Sequence, residues 1–310
     1  MQSYKIPREP KPSDDLPAGT PSDLRAENEG NAMQTSQIGI AAFGPEHLEA
    51  AVKLSRQAGW PHRFEDWQMA LTLSEGVVAI EGDRVVGTVL VTPYRSGCAT
   101  INMVIVDEAM RGRGLGRKLM DAALRLAADR PLRLVATTEG LPLYERLGFR
   151  ETGRVLQHQG IVGAIAEPGQ TEQATAADIE AIVALDRLAF GADREGMIAY
   201  LGKVGNFAVI RRDGRVCGFG AIRPFGRGEA IGPVVAEDLE DAKALVAHFM
   251  STRTGRFIRL DTTADTGLSL WLAEQGLAHV GGGIAMMKPP IHRAADPAAT
   301  TFALANQALG

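Results

Sequence analysis

The stretch "HLEAAVKLSRQAG" at residues 47–59 returns 131 residues later as "DIEAIVALDRLAF" at 178–190. The same spacing carries "GDRVVGTVLVTPY" at 82–94 onto "DGRVCGFGAIRPF" at 213–225, aligning Arg84 with Arg215, Gly87 with Gly218 and Pro93 with Pro224. Further on, "GLPLYERLGF" at 140–149 resembles "GLSLWLAEQGL" at 267–277. Self-similarity at such a distance means two copies of one supersecondary plan, and 310 residues are enough for two ordinary domains. The copies are expected at residues 36–160 and 170–289, joined by a linker at 161–169.

Each copy has a readable order. An apolar opening ("IGIAAF") precedes an amphipathic helix and a second short helix around "FEDWQMALTL". Then "GVVAIEGDRVVGTVLVTPY" reads as a hairpin, with β-branched runs on both sides of a Gly-Asp turn. "CATINMVIV" is a further strand, and a glycine- and arginine-rich helix start, the strand "LRLVAT" and a short helix "PLYERL" follow. This order predicts an α+β fold, each copy a mostly antiparallel mixed sheet flanked by helices. Residues 1–35, rich in proline and charge, bury too little apolar surface to order themselves, and residues 290–310 are expected to be a second tail with at most a short helical turn in "FALANQALG".

The chemistry is concentrated in "VDEAMRGRGLGRKL" at 106–119. Gly112, Gly114 and Gly116 alternate with Arg113 and Leu115 at the start of a helix, where each glycine costs about 1 kcal/mol relative to alanine. A helix beginning just past a strand presents unpaired N–H groups and its positive dipole end, which together attract an anion. Arg111, Arg113 and Arg117 add donors suited to phosphate oxygens. Neither of two common phosphate loops fits: a P-loop needs GxxxxGK followed by Ser or Thr, and a dinucleotide loop would need its third glycine at Arg117.

The sequence "RGRGLG" at 111–116, following a strand that ends "VIVD", resembles the acyl-CoA diphosphate loop of the GNAT family (Gcn5-related N-acetyltransferases). The two-copy arrangement resembles a bacterial subgroup whose C-terminal half is a divergent GNAT-like domain. The resemblance implies tandem GNAT-like acyl-CoA N-acyltransferase domains and an acetyl-CoA-dependent transfer to a primary amine. It implies that Arg111, Gly112, Arg113, Gly114, Leu115, Gly116 and Arg117 hold the diphosphate of acetyl-CoA. The backbone of Val104, Ile105 and Val106 would pair with the pantetheine arm. Tyr144 in "LYERLGF" falls where the family often places a tyrosine beside the thioester sulfur.

An attacking amine with a lysine-like pKa near 10.4 is about one part in a thousand neutral near pH 7, so a base should help. "CATINMVIV" has no acid and only one side-chain amide, Asn102. Glu139 is the first candidate, with Glu65, Asp66 and His62 as alternatives and Trp60 and Trp67 as possible pocket walls. The second copy has "DLEDAKAL" at 238–245 in place of the loop, whose Asp238, Glu240 and Asp241 would repel a diphosphate, and Leu272 in place of Tyr144. One acyl-CoA per chain is therefore expected. The rival reading is a non-catalytic acyl-CoA-binding sensor or partner-binding module.

Composition narrows the remaining classes. A net charge of -4 gives no basic footprint for nucleic acid, and Cys98 and Cys217, far apart, suggest core residues and neither a disulfide framework nor a metal site. No 18-residue apolar run and no signal-peptide core occur, so a cytoplasmic, membrane-free protein is expected, monomeric or homodimeric, acting on a small-molecule or protein amine.

Overall fold

The repeat in the sequence becomes a repeat of elements. The computed structural model describes residues 38–290 and 298–310; the proline-rich opening lies outside the described residues. The first copy runs β1 (Gly39–Ala42), α1 (Leu48–Gln57), α2 (Phe64–Thr72), β2 (Glu75–Glu81), β3 (Arg84–Tyr94), β4 (Cys98–Val106), α3 (Leu115–Ala127), β5 (Leu132–Ala136), α4 (Leu141–Arg146) and β6 (Arg150–Ile161). The second runs β7 (Thr171–Gln173), α5 (Ile179–Phe190), α6 (Glu195–Val204), β8 (Asn206–Arg212), β9 (Arg215–Phe225), β10 (Gly228–Ala236), α7 (Leu239–Ser251), β11 (Phe257–Thr263), α8 (Leu268–Glu274) and β12 (Ala278–Lys288). A last strand, β13 (Thr300–Ala303), follows.

Local pattern explains most of these elements. In α3, Leu115, Leu119, Met120, Ala122, Ala123 and Ala127 recur at helical spacing and are all buried, so one stripe packs on the sheet while Arg117 and Lys118 face solvent. The β2–β3 turn uses Gly82 at φ 60° to reverse the chain between two β-branched runs.

The strands form one sheet in the order β1-β2-β3-β4-β5-β12-β6-β11-β13-β10-β9-β8-β7. The copies do not close separately, because their last strands are exchanged. Strand β12 pairs with β5 from Ile284↔Ala136 to Lys288↔Leu132, whereas β6 pairs with β11 from Phe257↔Ile161 to Thr263↔Val155. Packing follows the exchange: Ile284 and Met286 enter the core under α3, and Val162, just past β6, enters the core under α7.

The loops also reach across. The α1–α2 loop meets the β9–β10 turn, where the Gly226 N–H donates to Asp66 Oδ2 at 2.9 Å. Reciprocally, Gly97 in the β3–β4 turn lies against Ala192, past the end of α5. The expected tail at 290–310 is corrected in part. Residues 291–297 lie outside the described residues, but Thr300–Ala303 form a strand, and Phe302, Ala303, Ala305 and Leu309 are almost fully buried. The apolar residues of "FALANQALG" find a core built mainly by the folded second copy, with Met69 of the first copy beside Ala305 and Leu309.

Candidate active site

The site is built where β4 and β5 part. These neighbours pair in parallel only at Ala99↔Leu132 and Thr100↔Arg133; beyond that point the β4 edge facing β5 has no strand partner. A bulge on β4 coincides with the divergence. Its pairing with β3 shifts register between Leu90↔Asn102 and Thr88↔Ile105, and Met103 takes φ 51°, an unusual value for a residue with a side chain. Thr88 Oγ1 holds the turned-out Met103 carbonyl at 2.7 Å. The open edge at Val104, Ile105 and Val106 thus offers backbone donors and acceptors to an extended ligand.

The glycine-arginine loop closes the end of this gap. A short turn at Glu108–Met110, capped by Asp107, leads to Gly112 and Gly114, both at φ 75°, and Gly114 is the N-cap of α3. A β-carbon at either glycine would meet nothing within 4 Å, so backbone conformation and not crowding requires glycine here. Gly116 differs: its φ is not in the left-handed region, and its β-carbon would make ordinary contact with Leu143 Cδ2 in α4 at 3.4 Å. The first helical backbone bond at this end runs from Lys118 N–H to Gly114 O (3.2 Å), leaving the N–H groups of Leu115, Gly116 and Arg117 available, as at any helix start. Leu115 itself is 2% exposed, so only its backbone can serve a ligand.

Arg111 and Arg113 are exposed and held loosely, at 3.8 Å from Glu108 and 3.7 Å from Glu81. Arg117 pairs with Asp121 one turn along at 2.8 Å. Such exposed pairs are worth less than about 1 kcal/mol each, so a multivalent anion can take the guanidinium groups over.

Tyr144 lies in α4 with its ring against Gly140 and edge-on to Phe149. Burial pushes its phenol up to about 12, so it stays protonated across the physiological range. Glu139 occupies the exposed turn before α4. Its own backbone N–H, and then Thr137, hold its carboxyl below the usual range, the opposite of what a base poised near neutrality needs. We do not assign it that role.

The other acceptor-side candidates go to structural work. Trp67 is fully buried, its Nε1–H donating to Ser55 Oγ at 2.8 Å, and so walls no pocket. Asp66 is buried and consumed: burial works to raise its pKa, but hydrogen bonds from the Arg63 side chain, the Arg63 N–H and the Gly226 N–H outweigh it and hold the carboxylate low. Glu65 is an exposed residue of the first turn of α2. His62 packs among Trp60, Trp67 and Phe225, and burial lowers its pKa to about 4, so it is neutral at physiological pH. Sequence reasoning gave no role to Thr100, whose Oγ1, like Asn102 Oδ1, is buried without a hydrogen-bond partner among the described residues, just before the bulge. Two polar side chains in a strand otherwise apolar were the available signal.

In the second copy only two residues, Glu237 and Asp238, separate β10 from α7, where eight separate β4 from α3. The acids are not a free repelling patch. Asp238 caps α7 through the Asp241 N–H, and Asp241 is buried against Arg212 at 2.6 Å. The glycine-arginine loop is missing outright, and Leu272, fully buried, fills the place of Tyr144.

Comparison with known proteins relates both halves of the chain to one family. Residues 44–149 match the acetyltransferase (GNAT) family model, and residues 182–296 match a second model described as an acetyltransferase (GNAT) domain. The chain is a two-domain protein of the GNAT acetyltransferase family. It is similar to a Bacillus subtilis (strain 168) protein named uncharacterized N-acetyltransferase YitH, at 28% identity over 244 residues, covering 74% of this chain and 84% of that one. In fold it is similar to a crystal structure from Pyrococcus horikoshii (TM-score 0.75, 19% identity, 92% of this chain and 99% of that one). It is also similar to a tandem GNAT protein from the clavulanic acid biosynthesis pathway (TM-score 0.58, 15% identity, 81% and 98%).

Proposed function

We propose that the first copy binds acetyl-CoA and transfers its acetyl group to a primary amine. The observation that carries this is the open β4 edge, which begins at the Met103 bulge and runs to the positive-φ glycines at the start of α3. The edge of Val104, Ile105 and Val106 suits the amides of a pantetheine arm, and Arg111, Arg113 and the N–H groups from Gly112 to Arg117 suit a diphosphate. Acetyl-CoA supplies an activated acyl thioester. Around it, backbone N–H groups at the Met103–Val104 bulge stabilise the negative charge that develops on the carbonyl oxygen. As the amine nitrogen bonds to the carbonyl carbon and the C–S bond breaks, Tyr144 gives its proton to the sulfur. The proton lost by the amine leaves through water, and water returns a proton to the Tyr144 phenolate. Thr100 Oγ1 and Asn102 Oδ1, unpaired and buried, are acceptors that can orient the amine N–H groups before attack.

A second reading, an acyl-CoA-binding module without turnover, is favoured by one observation: Glu139 is exposed and held low and Asp66 is consumed, which leaves no assigned base. CoA release measured across a panel of polyamines, amino acids, aminoglycosides and lysine peptides separates the two. We expect release with at least one class and one equivalent of acetyl-CoA per chain. Binding without release for every amine would establish the sensor reading, and two equivalents would refute the single-site assignment.

A further inference from the structure

The second copy keeps the gap between its central strands, and something fills it. Strands β10 and β11 pair in parallel at Glu229↔Ile258 and Ala230↔Arg259, as β4 and β5 do at Ala99↔Leu132 and Thr100↔Arg133, and then diverge. The bulge is also kept: the β10–β9 register shifts between Ile231 and Val234, so Gly232 and Pro233 stand where Asn102 and Met103 stand on β4. Beyond it, Val234, Val235 and Ala236 correspond to Val104, Ile105 and Val106. In the first copy those residues have an open edge. In the second they pair with β13, as Val234↔Ala303, Val235↔Thr301 and Ala236↔Thr300.

Strand β13 is wedged between both walls of the gap. Ala303 also pairs with Thr262 on β11, Thr262 Oγ1–H donates to Phe302 O at 2.6 Å, and the Leu304 N–H donates to Asp261 O at 2.8 Å. The contact at the bulge is closest. A β-carbon on Gly232 would lie 1.9 Å from Leu304 O, so only glycine admits the segment. Past the strand, the chain end is held by both copies: Gln307 Nε2 reaches Asp261 Oδ1 at 2.8 Å, Tyr94 OH donates to Leu309 O, and Arg194 Nη1 donates to Gly310 O.

We infer that the second copy is a peptide-binding module whose ligand is residues 298–310 of its own chain. Strand β13 occupies the slot that pantetheine takes in the first copy, and this placement rests on the acyl-CoA reading given above. The remaining features agree with an exchange of ligand. A peptide strand needs the open edge but no diphosphate loop, and that loop is absent; it needs no N–H at the bulge, and Pro233 has none. Backbone pairing gives affinity, and burial of Phe302 and Leu309 adds to it.

The test uses the full chain with a protease site placed within residues 291–297, folded and then cut. The released segment should co-elute with the body in gel filtration. In the Gly232→Ala chain, where the new methyl group meets Leu304 O, the retained fraction should fall by about tenfold or more, and Ala303→Glu should do the same if Gly232→Ala fails to fold. A segment that separates from a body of unchanged Tm would overturn the inference. So would equal retention by the folded variants. Acetyl-CoA titration of the uncut chain is read separately: loss of CoA binding there would remove the first-copy reading while leaving segment retention as measured.

Discussion

Replacing Gly114 with aspartate puts a carboxylate at the mouth of the proposed diphosphate site. Gly114 has φ 75°, a conformation that costs an ordinary residue about 1–2 kcal/mol and aspartate or asparagine less. Its β-carbon would have open space, so the fold should tolerate the change. A charge about 4–5 Å from a phosphate costs about 3–4 kcal/mol at an effective dielectric of 20, and solvent exposure of the loop lowers this to about 2–3 kcal/mol. CoA affinity should therefore drop by about 30- to 150-fold. Calorimetry at low and high ionic strength measures it, and the deficit should shrink with salt. Gly114→Asn, sharing the backbone tolerance but not the charge, should stay within about threefold of the parent, and pantetheine, lacking the diphosphate, should bind all three alike. Equal losses for Asn and Asp, a loss indifferent to salt, or unchanged affinity in a folded Asp variant would refute the electrostatic reasoning.

Tyr144→Phe should lower kcat with CoA affinity nearly intact, the pattern of a contact made only in the transition state; equal kcat would reduce the residue to packing. With a phenol at about 12, Tyr144 should impose no basic limb on the rate below about pH 10. For His62, whose folded pKa of about 4 lies below its usual 6.5, the unfolded chain takes up a proton that the folded chain refuses. Stability should thus be intact above about pH 6.5 and decline by about 3 kcal/mol as pH falls to about 4. Urea unfolding at three pH values should show the slope in the parent and its loss in His62→Gln. Asp66, held below 3.8, adds its own loss only at still lower pH, so the two windows are separable.

The glycine-arginine turn at the start of α3 was legible because its requirements are local. Positive φ at Gly112 and Gly114 and a helix start after a strand are encoded within a few residues, and so is the amphipathic stripe of α3. The surroundings of the other acceptor-side candidates were not legible, because they depend on neighbours from elsewhere. The Asp66 carboxylate reads as free in "RFEDW", yet the Gly226 N–H and Arg223, both distant in sequence, complete its surroundings. The acids of "DLEDAKAL" read as a repelling patch, but a cap and the partner Arg212 account for two of them.

Sequence alone determined the two copies, the order of elements within each and the loss of the loop and tyrosine from the second, because periodicity and turn chemistry act over short range. Tertiary structure decided which strand lies beside which. Strands β6 and β12 follow equivalent helices in their own copies, so local pattern cannot say whether each returns to its own sheet or crosses to the other. The four residues of β13 are likewise too short to read as a strand until the diverging edges of β10 and β11, built from residues far back in the chain, give their backbone groups somewhere to pair.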